Sequence, residues 1–411
     1  MNTPAYIFSE KTLSERIMGM LNIIGNSKNP KCSDICYAIK ANPFLVPLLD
    51  KYVTHYEVCS PGELEICRHY GIDGNKIIFS GVVKTKEQIK IAMDYSVGSI
   101  TIESISQWNS LIELLHEKSE LGQKCLFNIY PRLSSGAQFG VNIDELRQIF
   151  GEIKDYSGLK LAGIHYFTGT QKKTHKYEEE LDYINQVISD IVKEYHYSQD
   201  KLTLEYGPGL AVPYFTNDDF SNPLGEFKDL IEYIRQQDYK HHIRIELGRY
   251  IAASCGRFVS QVMDVKLGPV LGDSDKKTNY VLIDGGINHL NYYGSNMAMR
   301  TPIIHHMRDD IKLSGLTGEH NCEPVYFNIA GSLCTFADIL ARKVPLNNPQ
   351  IGDILIFENA GAYSVTEASA LFLSRDLPEI VIEKENGELV VVRQGINSYS
   401  INMNNSEGYV N

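Results

Sequence analysis

A chain of 411 residues, 43% hydrophobic and 22% charged, has the profile of a globular protein with room for more than one domain. Its formal net charge of -12 argues against nucleic acid or an anionic membrane as the main partner. No apolar run approaches the roughly 18 residues of a membrane span, and MNTPAYIFSEKTL lacks the basic and apolar regions of a signal peptide, so a cytoplasmic location is expected. Eight cysteines are scattered without CxxC pairs, several in apolar runs (Cys36, Cys59, Cys125). That pattern fits reduced thiols better than disulfides or a metal site.

The opening PAYIFSEKTL is strand-like and is expected to join a β domain formed by the far end of the chain. From about residue 34 the pattern alternates. Short β-rich runs appear at DICYAIK (34–40), HYEVCS (55–60), KIIFSG (76–81), GSITIES (98–104), CLFNIYPR (125–132), LAGIHYFTG (161–169), LTLEYG (202–207) and HIRIELGR (242–249). Between them lie stretches of helical period such as PGELEICRHYG, TKEQIKIAMDY and YEEELDYINQVISDIVKEYHY. Strands alternating with helices imply parallel βαβ units. Eight such units match a (β/α)8 TIM barrel better than an open doubly wound sheet, the alternative. After Arg249 the texture becomes all-β, with runs such as RFVSQVMDVKLG, NYVLIDGG, GDILIFENAG and EIVIEKENGELVVVRQG, where ENGE reads as a hairpin turn. The expected division is a barrel over 25–255 and a C-terminal β-sandwich or barrel built from 1–24 plus 256–411.

In a barrel, chemistry gathers at the C-terminal ends of the strands. Lys40 ends the first predicted strand, ahead of an Ala-Asn-Pro break, where an ordinary surface lysine has no need to be. EYGPGLA (205–211) places Gly207 and Gly209 in a turn whose backbone N–H groups can approach a phosphate; a plain Gly-Pro-Gly turn is the alternative. Thr170 and Arg249, on other strand ends, are placed to complete an anion cradle. Glu246 lies in a strand expected to be buried, so its carboxylate needs a cation or a protonated ring nitrogen, or else forms a structural ion pair. An amine at a strand end, a phosphate cradle and a buried acid together point to pyridoxal 5'-phosphate.

The motifs YAIKANP, VCSPGELE, IIFSGVVKT, GTQ, YGPGLAVPY, ELGR, LIDGG, GSLCTFADIL and ENAGAYS occur in that order along nearly the whole chain. In this the sequence resembles the fold-type III pyridoxal-phosphate decarboxylases, the group of diaminopimelate and ornithine decarboxylases. The resemblance implies a barrel followed by a β domain, Lys40 as the Schiff-base lysine, and a phosphate site of Gly207, Gly209, Gly248 and Arg249. It implies Glu246 on the pyridine nitrogen, Tyr363 reaching the phosphate, and Cys334 returning a proton to the α-carbon. That cysteine comes from the other subunit in this group, which implies a homodimer with shared active sites. Arg300 resembles an arginine that binds a substrate carboxylate, and Arg249, Thr335 and Tyr363 border the same substrate space.

The chain departs from the pattern at four positions. A histidine that stacks on the cofactor ring is replaced by Phe167, which stacks without donating a hydrogen bond; His165 lies two residues earlier on the same strand face, with a supporting role expected. Leu247 stands where a proline is usual, and Ile304 where a tyrosine is expected four residues after Arg300. Most informative is Thr335, because diaminopimelate and ornithine decarboxylases follow the cysteine with an acid that meets the substrate's distal amino group. The combination resembles a secondary-metabolism branch acting on modified, conjugated or carrier-tethered amino acids. Alternatives are a diaminopimelate decarboxylase of lysine biosynthesis, an amino-acid racemase on the same barrel, and a non-catalytic regulatory homologue.

Overall fold

The structure, a computed structural model, describes residues 2–25, 31–122, 126–268, 278–292, 297–308, 311–314 and 325–404. Cys125, at the start of a predicted strand, lies outside the described residues. Two compact units are present, one of Met1–Glu15, Pro213–Ser221 and Ala252–Asn411, the other of Arg16–Val212 and Asn222–Ile251.

Strand β1 (Ala5–Ser9) belongs to the first unit. The second unit contains β2 (Cys32–Ala38), β3 (His55–Val58), β4 (Ile77–Phe79), β5 (Ser99–Ile102), β6 (Phe127–Pro131), β7 (Leu159–Leu161), β8 (Gly163–Phe167), β9 (Thr203–Gly207) and β10 (His242–Leu247). These strands are parallel, in the order β7-β6-β5-β4-β3-β2-β10-β9-β8. The ring comes close to closing where its two ends meet. Ala162 N donates to Ile129 O at 3.0 Å, Leu133 N donates to His165 O at 3.0 Å, and Arg132 bridges His165 in parallel. The sixth predicted run is therefore two short strands, because the chain changes partner at Ala162: β7 pairs with β6, and β8 with β9. Thus eight predicted strands become nine in a TIM-like barrel.

Local signals start the helices that return the chain. Ser60 accepts from Glu63 N, with Pro61 in the first turn of Pro61–His69, and Ser104 caps Ile105–Glu120 in the same way. Thr85 and Asn142 form full capping boxes with Gln88 and Glu145. On the strands, two-residue alternation sends Glu246, Arg244, Glu205, His165 and Phe167 inward while Ile245, Leu247, Leu204, Tyr206 and Ile164 pack outside. The interior is thus polar and partly paired: Arg244 Nη1 donates to Glu205 Oε2 at 2.9 Å. Burial nonetheless pushes the Glu205 carboxyl up to about 7, with Arg244 only partly opposing it.

The first unit is a ten-stranded mixed sheet made from β1 with β11 (Gly256–Lys266), β12 (Asn279–Ile283), β13 (Ile304–Arg308), β14 (Ile311–Ser314), β15 (Val325–Ala330), β16 (Ile339–Leu346), β17 (Ile354–Phe357), β18 (Glu379–Glu383) and β19 (Leu389–Arg393). The main path runs β14-β13-β17-β11-β1-β18-β19. β1 sits between antiparallel β11 and parallel β18, and Ile7 packs with Val259 and Val381 in the core. Between β18 and β19, Gly387 N closes the ENGE turn onto Lys384 O at 2.9 Å. The six described cysteines form no disulfide with one another. Among the described residues, no helix is long and apolar enough to cross a membrane.

Candidate active site

β2 stops at Ala38, and a single 3-10 turn, Ile39–Ala41, carries Lys40. The Ala-Asn-Pro break sets that turn. Asn42 N donates to Ile39 O at 3.0 Å, Asn42 Oδ1 accepts from Phe44 N at 3.1 Å, and Tyr37 OH donates to Asn42 O at 2.9 Å. Ile39 and Ala41 are fully buried, while the Lys40 side chain keeps 39% of its surface and borders a cavity of about 420 Å³. Its Nζ lies 2.7 Å from Glu57 Oε2, 4.0 Å from Glu246 Oε1 and 3.6 Å from Cys59 Sγ. The Cys59 thiol donates to the other oxygen of Glu57 at 2.9 Å, and burial pushes its own ionisation up.

Across the cavity, His165 Nε2 lies 3.0 Å from Glu246 Oε2. Burial pushes the Glu246 carboxyl up, but the His165 hydrogen bond, Lys40 and Arg132 outweigh it and hold the group well below the usual carboxylate range. Glu246 is therefore an anion at neutral pH. Phe167 supplies an aromatic wall, with the Arg132 guanidinium 5.8 Å from its ring centroid and 4.7 Å from that of Phe139. Arg132 itself is anchored to Glu103 at 3.0 Å.

The glycine turn follows β9. Gly209 has φ +59°, and a Cβ there would stand 1.9 Å from Gly169 O and 3.0 Å from the Cα of Thr170; at Gly207 it would meet Phe167 Cδ2 at 2.6 Å. Lys172 N donates to Gly209 O at 2.9 Å and Ala211 N to Lys172 O at 3.0 Å, so the Gly-Thr-Gln loop and the glycine turn form one backbone unit. Gly248 packs on the Lys40 turn, where a Cβ would lie 2.9 Å from Ala41 Cβ, and Arg249 begins the short helix Arg249–Ala252. Of the residues expected from the sequence, Lys40, Phe167 and Glu246 line one cavity. Thr170, Gly207 and Gly209 share the adjoining loops, and Gly248 and Arg249 continue from Glu246.

The other expected residues belong to the other compact unit and are described within it. Cys334, Thr335 and Phe336 are exposed on the loop between β15 and β16. Asp338 fixes that loop from below, accepting from Leu333 N at 2.7 Å and Ile287 N at 2.8 Å. Asp338→Asn turns one of these acceptors into a donor facing an N–H. The expected loss is about 1–3 kcal/mol, visible as a lower melting temperature in calorimetry; an unchanged melting point refutes this role for Asp338. Arg300 is paired with Asp218 and lies 4.3 Å over the Phe215 ring. Tyr363, at φ +65°, begins the short helix Ser364–Glu367, and Ile304 is buried in β13.

Glu57, Arg132 and Phe139 were not expected from the sequence. Glu57 was the one within reach, since the rule that picks out Lys40 at the end of β2 applies equally to the end of β3. Cys59 was noted only as a thiol in an apolar run.

These residues fit pyridoxal 5'-phosphate. They supply an amine on the cavity wall, an anionic carboxylate, a flat aromatic face, and a glycine turn packed so closely on the Gly-Thr-Gln loop and Phe167 that a side chain there would collide with them. Residues 25–253 match the family model for the pyridoxal-dependent decarboxylase, pyridoxal binding domain. The chain is 27% identical over 407 residues to diaminopimelate decarboxylase of Campylobacter jejuni, covering 96% of this chain and 93% of that one. It is 29% identical over 374 residues to the L-glutamyl-(BtrI acyl-carrier protein) decarboxylase of Niallia circulans, covering 87% and 84%. In fold it is similar to the crystal structure of diaminopimelate decarboxylase from Helicobacter pylori complexed with L-lysine, with a TM-score of 0.80 at 20% identity over 98% and 96% of the two chains. The chain belongs to the pyridoxal-dependent decarboxylase family, enzymes that take the carboxylate from amino acids with pyridoxal 5'-phosphate as cofactor.

Proposed function

We propose that this decarboxylase acts on an amino acid whose distal end is already modified or conjugated, including one tethered to a carrier protein. The observation that carries this reading is the loop at 332–338. Its exposed residues Cys334, Thr335 and Phe336 carry no carboxylate, and its one acid, Asp338, is buried with both oxygens taken by backbone N–H groups. A free distal ammonium has no acid to meet there. Arg300 is already neutralised by Asp218. The similarity to an enzyme named for a glutamyl group on an acyl-carrier protein supports the same direction.

In this reading 25–255 is the cofactor domain, and Lys40 holds the cofactor by its amine, poised by Glu57. Thr170, Gly207, Gly209, Gly248, Arg249 and Tyr363 hold the phosphate, Phe167 presses on the ring, and Glu246 sets an anion at the ring nitrogen. Bound pyridoxal phosphate supplies the electron sink that accepts the pair left behind as carbon dioxide departs. Cys334, brought by the second subunit of a homodimer, gives a proton to the α-carbon. Arg249, Arg300, Thr335 and Tyr363 border the substrate.

The likeness to diaminopimelate decarboxylases gives the second reading, a housekeeping enzyme with a relaxed distal site. A carbon dioxide release screen over free diaminopimelate, ornithine and glutamate, their N-acylated forms and a carrier-bound aminoacyl thioester separates the two. Conjugated substrates are expected to lead in kcat/KM by about 10-fold or more. Free diaminopimelate as the best substrate would overturn the proposal.

A further inference from the structure

The contact between His165 and Glu246 joins two barrel strands that are not neighbours. β9 lies between their strands, and Glu205 on β9 is the register partner of His165. Both residues are buried, His165 to 2% and Glu246 to 8% exposure, and both border the cavity that holds Lys40. An ionised carboxylate only accepts, so the hydrogen in the 3.0 Å contact comes from the ring and His165 carries it on Nε2. The other ring nitrogen, Nδ1, is buried with no hydrogen-bond partner among the described residues. One oxygen of Glu246, Oε2, is thereby committed to the protein, while Oε1, 4.0 Å from Lys40 Nζ, faces the reactive amine.

We infer that His165 is a positioning residue, donating Nε2–H to Oε2 so that Glu246 presents Oε1 to the cofactor's ring nitrogen. The inference rests on the proposed role of Glu246. Phe167 has only a flat face to offer the ring, so the polar support comes from His165 two positions earlier on the same strand. An unpartnered buried Nδ1 costs stability, a cost that the charge-assisted bond from Nε2 to Glu246 offsets. The charged groups facing His165 are Glu246 from β10, Glu205 from β9, Arg132 beyond β6 and Lys40 beyond β2. Any titration of the site reports all of them together.

The test compares His165→Leu, which removes the donor, with His165→Gln, whose amide N–H reaches a similar place. Each is reconstituted with pyridoxal 5'-phosphate and followed by visible absorbance from pH 6 to 9 and by steady-state kinetics. The leucine variant is expected to lose about 10- to 100-fold in kcat with little change in KM. Its absorbance change with pH is expected to shift to lower pH, because a less ordered carboxylate holds the ring proton less firmly. Glutamine is expected to recover most of both losses. In cofactor-free wild-type protein, 15N NMR of labelled histidine is expected to show His165 protonated on Nε2, a measurement that survives any folding defect in the variants. A proton on Nδ1 alone, or a leucine variant matching wild type in absorbance titration and kcat, overturns the inference while the enzyme reading stands. A Glu246→Gln variant that binds the cofactor and turns over as the wild type does removes the role of Glu246, and this inference with it.

Discussion

Replacement of Lys40 by alanine is expected to remove the visible absorbance of bound cofactor and to lower carbon dioxide release by on the order of 10⁴-fold or more. In the proposed reading the amine holds the cofactor, and the neighbouring Cys59 thiol does not replace it, being pushed further from ionisation by burial and by Glu57. The substitution also has an electrostatic cost. Glu57 and Glu246 are both buried and lie on either side of the ammonium, at 2.7 and 4.0 Å. Without it the two carboxylates lose the cation they share. Lys40→Arg separates the two effects. A guanidinium keeps the positive charge but stays protonated and cannot act as an amine nucleophile. The arginine variant is therefore expected to keep much of the thermal stability and none of the turnover. Turnover in either variant removes Lys40 from the chemistry.

Gly209→Ala is the second large effect. Alanine at φ +59° already carries about 1–2 kcal/mol of left-handed strain, and its Cβ would fall 1.9 Å from Gly169 O, a backbone atom that cannot swing aside. Relief requires the turn to move away from the Gly-Thr-Gln loop, breaking the Lys172–Gly209 bond at 2.9 Å and spreading the N–H groups that a phosphate would use. Cofactor affinity is expected to fall by about 100-fold or more, with a lower melting temperature. Gly71→Ala is the matched control. It has φ +69°, yet nothing lies within 4 Å of the Cβ position, so it carries the strain without the collision. Equal effects from the two substitutions would show that strain, not the cradle, governs the site.

What could be read from the sequence was local. Alternating β-rich and helical runs announced a barrel followed by an all-β domain, because two-residue and 3.6-residue periods are written in consecutive residues. The same reading placed Lys40, Gly207, Gly209 and Glu246 at strand ends or in strands. It treated 161–169 as one strand, since nothing local shows that the chain changes partner at Ala162.

Which side chains meet was decided only by the tertiary structure. Glu57 reaches Lys40 because β2 and β3 pair with Ala38 opposite Glu57, a matter of register between segments 17 residues apart. His165 reaches Glu246 across 81 residues because both point into the same barrel interior. Arg300 pairs with Asp218 across 82 residues, and Asp338 spends both oxygens beneath the cysteine loop, because the fold of the β-rich unit brings those segments together. Charges and hydrogen bonds act over a few ångströms of space, and the sequence by itself specifies neighbours along the chain, not across a barrel.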